Sequence, residues 1–109
     1  MTETEITYIL DQMVQRIVGR FHPDRIILFG SHAKGKPTQD SDLDLLIVMP
    51  VEGSRRRKAN EIDLALADRT VPLDVIVVTP DQFERQRDVI GTIVGEAVRE
   101  GKTLYERAA

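Results

Sequence analysis

Two apolar, β-branched runs separated by a helix-length segment constrain the fold more than any other feature of this sequence. The runs are residues 42–49 and residues 73–78. Their content of Val, Ile and Leu favours buried strands, and Pro50 ends the first of them. Between the runs, Ser54 is a suitable N-cap for a helix that reaches about Arg69. Strands joined through a helix are expected to be parallel, with a right-handed crossover.

The rest of the chain adds further helices and two short strands. Apolar residues recur at three- and four-residue steps over residues 4–20, which predicts an amphipathic helix. Residues 25–29 are a short apolar run that predicts a strand, and residues 103–105 are a candidate for a short edge strand. A helix is expected to begin after Thr79, with an interruption allowed near Gly91. The side chains predicted to face inward on this last helix are Ile90, Ile93, Val94, Ala97 and Val98.

Length and charge set limits on domain number and partners. The chain has 109 residues, of which 41% are hydrophobic, and its net charge is -3. We expect a single domain over residues 1–109, of the α/β (α+β) class, with a mixed β-sheet flanked by helices. Because the balance is acidic, a general nucleic-acid surface is not indicated. The basic run at residues 55–58 remains open: it is either a solvated helix start or a surface for an acidic partner or RNA.

The absence of cysteine and of long apolar runs bears on localisation. Without cysteine the chain has no disulfides, no thiolate chemistry and no cysteine zinc site. The acidic and polar start at residues 1–5 does not resemble a signal peptide. No apolar run approaches the roughly 20 residues that span a bilayer. These features predict a cytoplasmic protein without a membrane partner.

Three carboxylates are predicted to converge at one end of the sheet. Parallel strands begin at the same end of the sheet, which brings Asp42 and Asp44 near Asp74. Asp42 and Asp44 are two residues apart on a strand and should therefore point to the same face. The preceding strand is joined to theirs by a loop, so it is predicted to be antiparallel and to end beside them at Gly30. Crowded carboxylates repel one another, and Mg²⁺ is a cation that prefers such oxygen ligands.

This arrangement predicts chemistry at phosphorus. Two Mg²⁺ ions can clamp the attacking and leaving oxygens of an in-line displacement. Asp42 and Asp44 are predicted to hold the ions. Asp74 is predicted to ligate the second ion, and it could accept the proton of the attacking hydroxyl.

The segment after the first strand is predicted to contact the phosphates of a nucleotide. Gly30 allows a tight turn and a close approach of the backbone to phosphate. Ser31 offers a hydroxyl and a backbone N–H, within a loop that could include one helical turn. Lys34 or Lys36 could neutralise phosphate charge.

These residues resemble a known signature. Gly-Ser-His-Ala-Lys-Gly at residues 30–35, followed by Ser-Asp-Leu-Asp-Leu at 41–45, resembles the Gly-Ser and Asp-x-Asp motifs of polymerase-β-like nucleotidyltransferases. Leu-Asp-Val-Ile at 73–76 resembles the third-carboxylate strand of that superfamily. The short length is most similar to the minimal nucleotidyltransferases, which commonly serve as antitoxins of HEPN-domain ribonuclease toxins. The resemblance extends from about residue 25 to residue 105.

The resemblance implies a polymerase-β-like fold and transfer of a nucleoside monophosphate, usually AMP from ATP. For the antitoxin group it implies that AMP is placed on a tyrosine hydroxyl of the toxin. The motif positions imply a phosphate role for Gly30 and Ser31. They imply a metal role for Asp42, Asp44 and Asp74.

Several alternatives remain open. The chain could be an antitoxin that acts by occlusion without catalysis, or it could modify a small molecule such as an aminoglycoside. Lys34 stands where arginine is frequent in the family, and lysine lacks the bidentate fork. Residues 30–36 approach a Walker A motif, but Pro37 and the absence of a following helix disfavour that interpretation. A homo-oligomer formed through an edge strand or the first helix is also open.

Overall fold

The protein is described by a computed structural model that covers residues 2–35 and 41–108. Lys36 and Pro37, which enter two of the predictions above, lie outside these ranges. The helices are α1 Glu3–Phe21, α2 Arg55–Ala65, α3 Pro80–Gln86 and α4 Ile93–Glu100. The strands are β1 Arg25–Phe29, β2 Leu43–Val48, β3 Leu73–Val78 and β4 Lys102–Glu106. The predicted class, a mixed sheet flanked by helices, is confirmed.

The sheet has the strand order β3-β2-β1-β4. β1 is antiparallel to both β2 and β4, whereas β2 and β3 are parallel. Both predicted strand polarities are therefore confirmed, and β4 lies at an edge as expected. No helix in the described part of the chain combines the length and the apolar character needed to cross a membrane.

Each face of the sheet is covered by one pair of helices. α1 and α2 pack on one face in a core that includes Ile17 and Leu45. α3 and α4 pack on the other face in a core that includes Leu46 and Phe83. Because side chains alternate along a strand, Asp44 shares the α3–α4 face with Leu46. The alternation thus directs the β2 carboxylate toward α4 and away from α1.

The boundaries of the first two helices reflect local capping. α1 begins with a capping box, in which Thr2 accepts from the Glu5 N–H and Glu5 accepts from the Thr2 N–H. α2 ends at Ala65, earlier than predicted. The Arg69 guanidinium donates to the carbonyls of Asp63 and Leu66. It therefore satisfies acceptors at the helix end instead of extending the helix.

The predicted last helix is two helices, and this changes which side chains are buried. The chain turns at Gly91, which has a φ of +91°. Ile90 is 85% exposed and Ile93 is 46% exposed, so the prediction that both face inward is wrong. α4 is a separate helix, so its buried face does not continue that of α3. It buries Val94 and Ala97 as predicted.

Candidate active site

The predicted acidic residues and the glycine meet at one end of the sheet. Asp44 pairs with Phe29 of β1 on one side and with Asp74 of β3 on the other. Gly30 directly follows Phe29, so it lies at the same edge. Asp42 precedes β2 instead of starting it, because strand pairing begins at the next residue. All three predicted segments therefore converge as the strand polarity required.

The carboxylate of Asp44 experiences the negative charge of its neighbours. Its pKa is raised, first by burial and then by the charges of Asp74 and Asp42. Glu96 of α4 raises it slightly further, while His32 acts in the opposite direction. This mutual repulsion is the electrostatic situation that a bound divalent cation relieves. His32 and Glu96 were not assigned a role from the sequence.

Gly30 is required by the position of Asp44. Its φ is +76°, a backbone conformation that residues other than glycine rarely adopt. A β-carbon at this position would overlap Oδ2 of Asp44 and would lie 3.2 Å from its Cγ. The missing side chain of Gly30 therefore leaves the space in which the Asp44 carboxylate lies.

A single turn follows Gly30. The Lys34 N–H donates to the Gly30 carbonyl at 3.2 Å, which is consistent with the one helical turn considered from the sequence. Ser31 is half-buried at the start of this turn. His32 Nε2 lies 3.3 Å from the Ser41 carbonyl oxygen. The turn is thus connected to the residue that precedes Asp42.

The side chain of Lys34 contacts α4. Its Nζ lies 2.9 Å from Glu100 Oε2 and 3.6 Å from Glu96 Oε1. The hydrogen bond with Glu100 is the main cause that raises the pKa of Lys34, and Lys34 in turn lowers the pKa of Glu100. Sequence reasoning missed both glutamates, for which the available signal was their four-residue spacing on one helix face. Lys34 would have to leave these partners to contact a phosphate.

The carboxylate oxygens at this end of the sheet are suitable ligands for Mg²⁺. Within residues 2–35 and 41–108, no three His, Asp or Glu side chains are arranged closely enough to form a metal site as they stand. Asp44 and Asp74 are nevertheless direct register partners, and Asp42 is near enough to affect the pKa of Asp44. Carboxylate oxygens are the ligands that Mg²⁺ prefers. Asp42 and Asp74 are also exposed and able to reach a ligand.

Known proteins of related sequence support the same class. The profile of the nucleotidyltransferase domain matches residues 9–100. A predicted protein adenylyltransferase of Methanocaldococcus jannaschii is 42% identical over 50 residues, which is 44% of this chain and 34% of that protein. The aligned region thus spans about a third of the length of this relative.

Solved structures share the fold at low sequence identity. A predicted nucleotidyltransferase from Sulfolobus solfataricus, at 1.40 Å resolution, has a TM-score of 0.65 and 18% identity, covering 92% of this chain and 79% of that one. A toxin–antitoxin complex with AMP-PNP has a TM-score of 0.56 and 18% identity, with coverage of 89% and 73%. A mutant of the MntA–HpeT toxin–antitoxin has a TM-score of 0.53 and 21% identity, with coverage of 89% and 72%.

The profile covers most of the chain, and the solved structures agree with the observed fold. The predicted relation to nucleotidyltransferases is therefore confirmed, and this chain belongs to the nucleotidyltransferase domain family.

Proposed function

We propose that this nucleotidyltransferase transfers AMP from ATP to a hydroxyl group of a partner protein. The observation that carries the proposal is the pairing of Asp44 with Asp74 on adjacent strands, with Gly30 leaving space for the Asp44 carboxylate. The two aspartates share one sheet edge with the Gly30 turn, so carboxylates and a phosphate-accessible backbone lie together. This combination suits a nucleoside triphosphate and an acceptor hydroxyl.

The residues have distinct proposed roles. Asp42, Asp44 and Asp74 would hold Mg²⁺, with two ions expected. When bound, Mg²⁺ offsets negative charge on the phosphates and on the attacking and leaving oxygens. The Gly30 backbone and Ser31 would contact the triphosphate.

The transfer balances without a further reactant. The acceptor oxygen forms a bond to the α-phosphorus of ATP, and the bond between that phosphorus and the bridging oxygen breaks. Pyrophosphate leaves with the electron pair. Asp74 is exposed at the sheet edge and would accept the proton of the acceptor hydroxyl.

A protein acceptor is favoured by the relatives. One is named as a protein adenylyltransferase, and two structural neighbours are toxin–antitoxin proteins, one with AMP-PNP. We therefore propose a HEPN-type ribonuclease toxin as the partner, a tyrosine of that toxin as the acceptor, and the cytoplasm as the site of action.

Transfer of a radioactive label tests this function. The protein would be incubated with Mg²⁺ and ATP labelled at the α-phosphate in lysate of its host. Its double variant Asp42→Asn/Asp44→Asn would be compared with Asp11→Asn/Asp88→Asn, which makes the same changes at exposed positions away from the site. We expect a labelled protein band with the native chain and the control, and none with the site variant.

The other outcomes separate the alternatives. A labelled small molecule without a labelled protein would contradict a protein acceptor. If a co-expressed toxin were still neutralised by Asp42→Asn/Asp44→Asn, occlusion would explain neutralisation and the catalytic account would fail.

A further inference from the structure

β3 presents one open edge of the sheet. Among the described residues, no strand pairs with the side of β3 that faces away from β2. The Val78 carbonyl accepts from the Met49 N–H at 3.0 Å and so points toward β2. Backbone groups of successive strand residues point to opposite sides, so those of Val75 and Val77 point outward. Such an edge can pair with a further strand.

A groove of about 590 Å³ lies along this edge. Its lining includes residues 75–78, which are four consecutive positions of β3. Their side chains alternate between the two faces of the sheet, so a groove that touches all four follows the strand edge. Arg55, Arg56 and Ala59 of α2 form one side, and Gln82 of α3 lies on the other.

The groove is locally basic in an acidic protein. Arg55, Arg56 and Arg57 are exposed, and their side chains form no ion pair with any residue in the described ranges. Positive charge in the first turn of a helix opposes the helix dipole. A negatively charged ligand would pair with these arginines and offset their unfavourable interaction with the helix dipole. The whole chain has a net charge of -3, so this basic patch is a local exception.

Gln82 adds a hydrogen-bonding requirement on the opposite side. Its Oε1 is inaccessible and has no hydrogen-bond partner among the described residues. Its Nε2 donates to Gln86 at 3.2 Å. Buried acceptors in native proteins are generally satisfied, and Gln82 is one of the residues that line the groove.

We propose that this groove binds an extended acidic segment of a partner protein, which pairs with the outward backbone groups of Val75 and Val77. Acidic side chains of the segment would contact Arg55 and Arg56. A peptide is favoured over nucleic acid because the open backbone edge of β3 can pair with another strand.

This groove also suggests how an acceptor reaches the active site. Val78 and Asp74 are four residues apart on β3, a separation of roughly 13 Å at about 3.3 Å per residue. A segment held at Arg55 and Arg56 would therefore present a hydroxyl near Asp74 if that hydroxyl lay four to five residues from the acidic positions. This step rests on the proposed function, whereas binding in the groove does not.

Amide hydrogen exchange measured by NMR tests the binding. The probe is a synthetic peptide of about ten residues with two glutamates at one end, valine at alternate positions and a tyrosine four to five residues from the glutamates. We expect exchange at the Val75 and Val77 amides to slow by roughly tenfold or more. The neighbouring amides that already bond to β2 should change little.

Two peptides methylated on alternate backbone nitrogens distinguish strand pairing from adsorption. Methylation on one set of positions removes the donors that face β3, and methylation on the other set leaves them. Strand pairing predicts that one of the two peptides loses binding. Equal binding of both, or unchanged exchange at Val75 and Val77 with the parent peptide, would overturn the proposal.

Charge variants test the arginines. Arg55→Gln/Arg56→Gln should weaken peptide binding on the order of tenfold. Arg20→Gln/Arg107→Gln, which removes the same charge elsewhere, should leave it unchanged. Binding of a single-stranded RNA without peptide binding would overturn the proposal in favour of a nucleic-acid surface. Protection of Val75 and Val77 without adenylylation of the tyrosine would support the groove and count against delivery to Asp74.

Discussion

The Cα of Gly30 lies against the carboxylate of Asp44, so closely that a β-carbon at residue 30 would overlap Oδ2. The two residues come from different segments of the chain and are brought together because Phe29 pairs with Asp44 in the antiparallel ladder. The conformation of the turn and the position of the carboxylate are therefore coupled. A change at residue 30 should act on the site through Asp44.

Gly30→Ala should abolish most nucleotidyl transfer. The new methyl group would displace the Asp44 carboxylate, and the positive φ would add a strain of about 1–3 kcal/mol. We expect transfer to fall by at least ~100-fold, because metal-assisted stabilisation is worth several kcal/mol. The measurement is the initial rate with labelled ATP, together with the free energy of unfolding.

Gly91→Ala is the matched control for this variant. Gly91 also has a positive φ, of +91°, but a β-carbon added there would meet no described atom within 4 Å. The variant should show similar strain and near-normal transfer. Equal loss of activity in both variants would mean that strain alone, and not displacement of Asp44, causes the effect.

Mg²⁺ should stabilise the native protein more than it stabilises the Asp44→Asn variant. In the metal-free protein the pKa of Asp44 is raised, so the folded state holds its proton more tightly than the unfolded state does. This contribution to stability is present below the ordinary carboxyl pKa and is lost as pH rises through the raised value. At neutral pH, Asp44→Asn should therefore be no less stable than the native protein without metal.

Thermal unfolding with and without Mg²⁺ measures this difference. Saturating Mg²⁺ at about 100 times its Kd would add about 2.7 kcal/mol to the native protein. Asp44→Asn should gain much less, while Asp88→Asn should behave as the native chain does. An equal gain in all three would mean that Mg²⁺ binds elsewhere.

Lys34→Gln and Glu100→Gln should change the KM for ATP in opposite directions. Lys34 is exposed and contacts Glu100 at 2.9 Å, so the glutamate competes with phosphate for its charge. Removing the lysine should raise KM, and removing the glutamate should lower it, each by about two- to fivefold, the range of an exposed ion pair. Steady-state kinetics decides this. An increase in KM for both would indicate that the ion pair holds the Gly30 turn on α4.

Ile17→Ala and Ile90→Ala make the same substitution at opposite extremes of burial. Ile17 is fully buried and Ile90 is 85% exposed. The first should cost about 2–5 kcal/mol, and the second should remain within about 0.5 kcal/mol. Denaturant unfolding measures both values. A large cost at Ile90 would show that this residue is covered in solution.

Local sequence chemistry was sufficient for most of the fold. Alternating and β-branched runs identify the central strands, and the capping pattern of Thr2 with Glu5 marks the start of α1. Chain connectivity then determines polarity, because a helix joins β2 to β3 and a loop joins β1 to β2. Polarity alone brings Asp44 and Asp74 to the same sheet edge.

Contacts between distant elements were decided only by the tertiary structure. The exposure of Ile90 depends on the turn at Gly91, which separates α3 from α4. The ion pairs of Lys34 with Glu96 and Glu100 join the turn after β1 to the last helix of the chain. Periodicity and motif spacing describe neighbours along the chain, whereas these contacts depend on how α4 packs against the sheet.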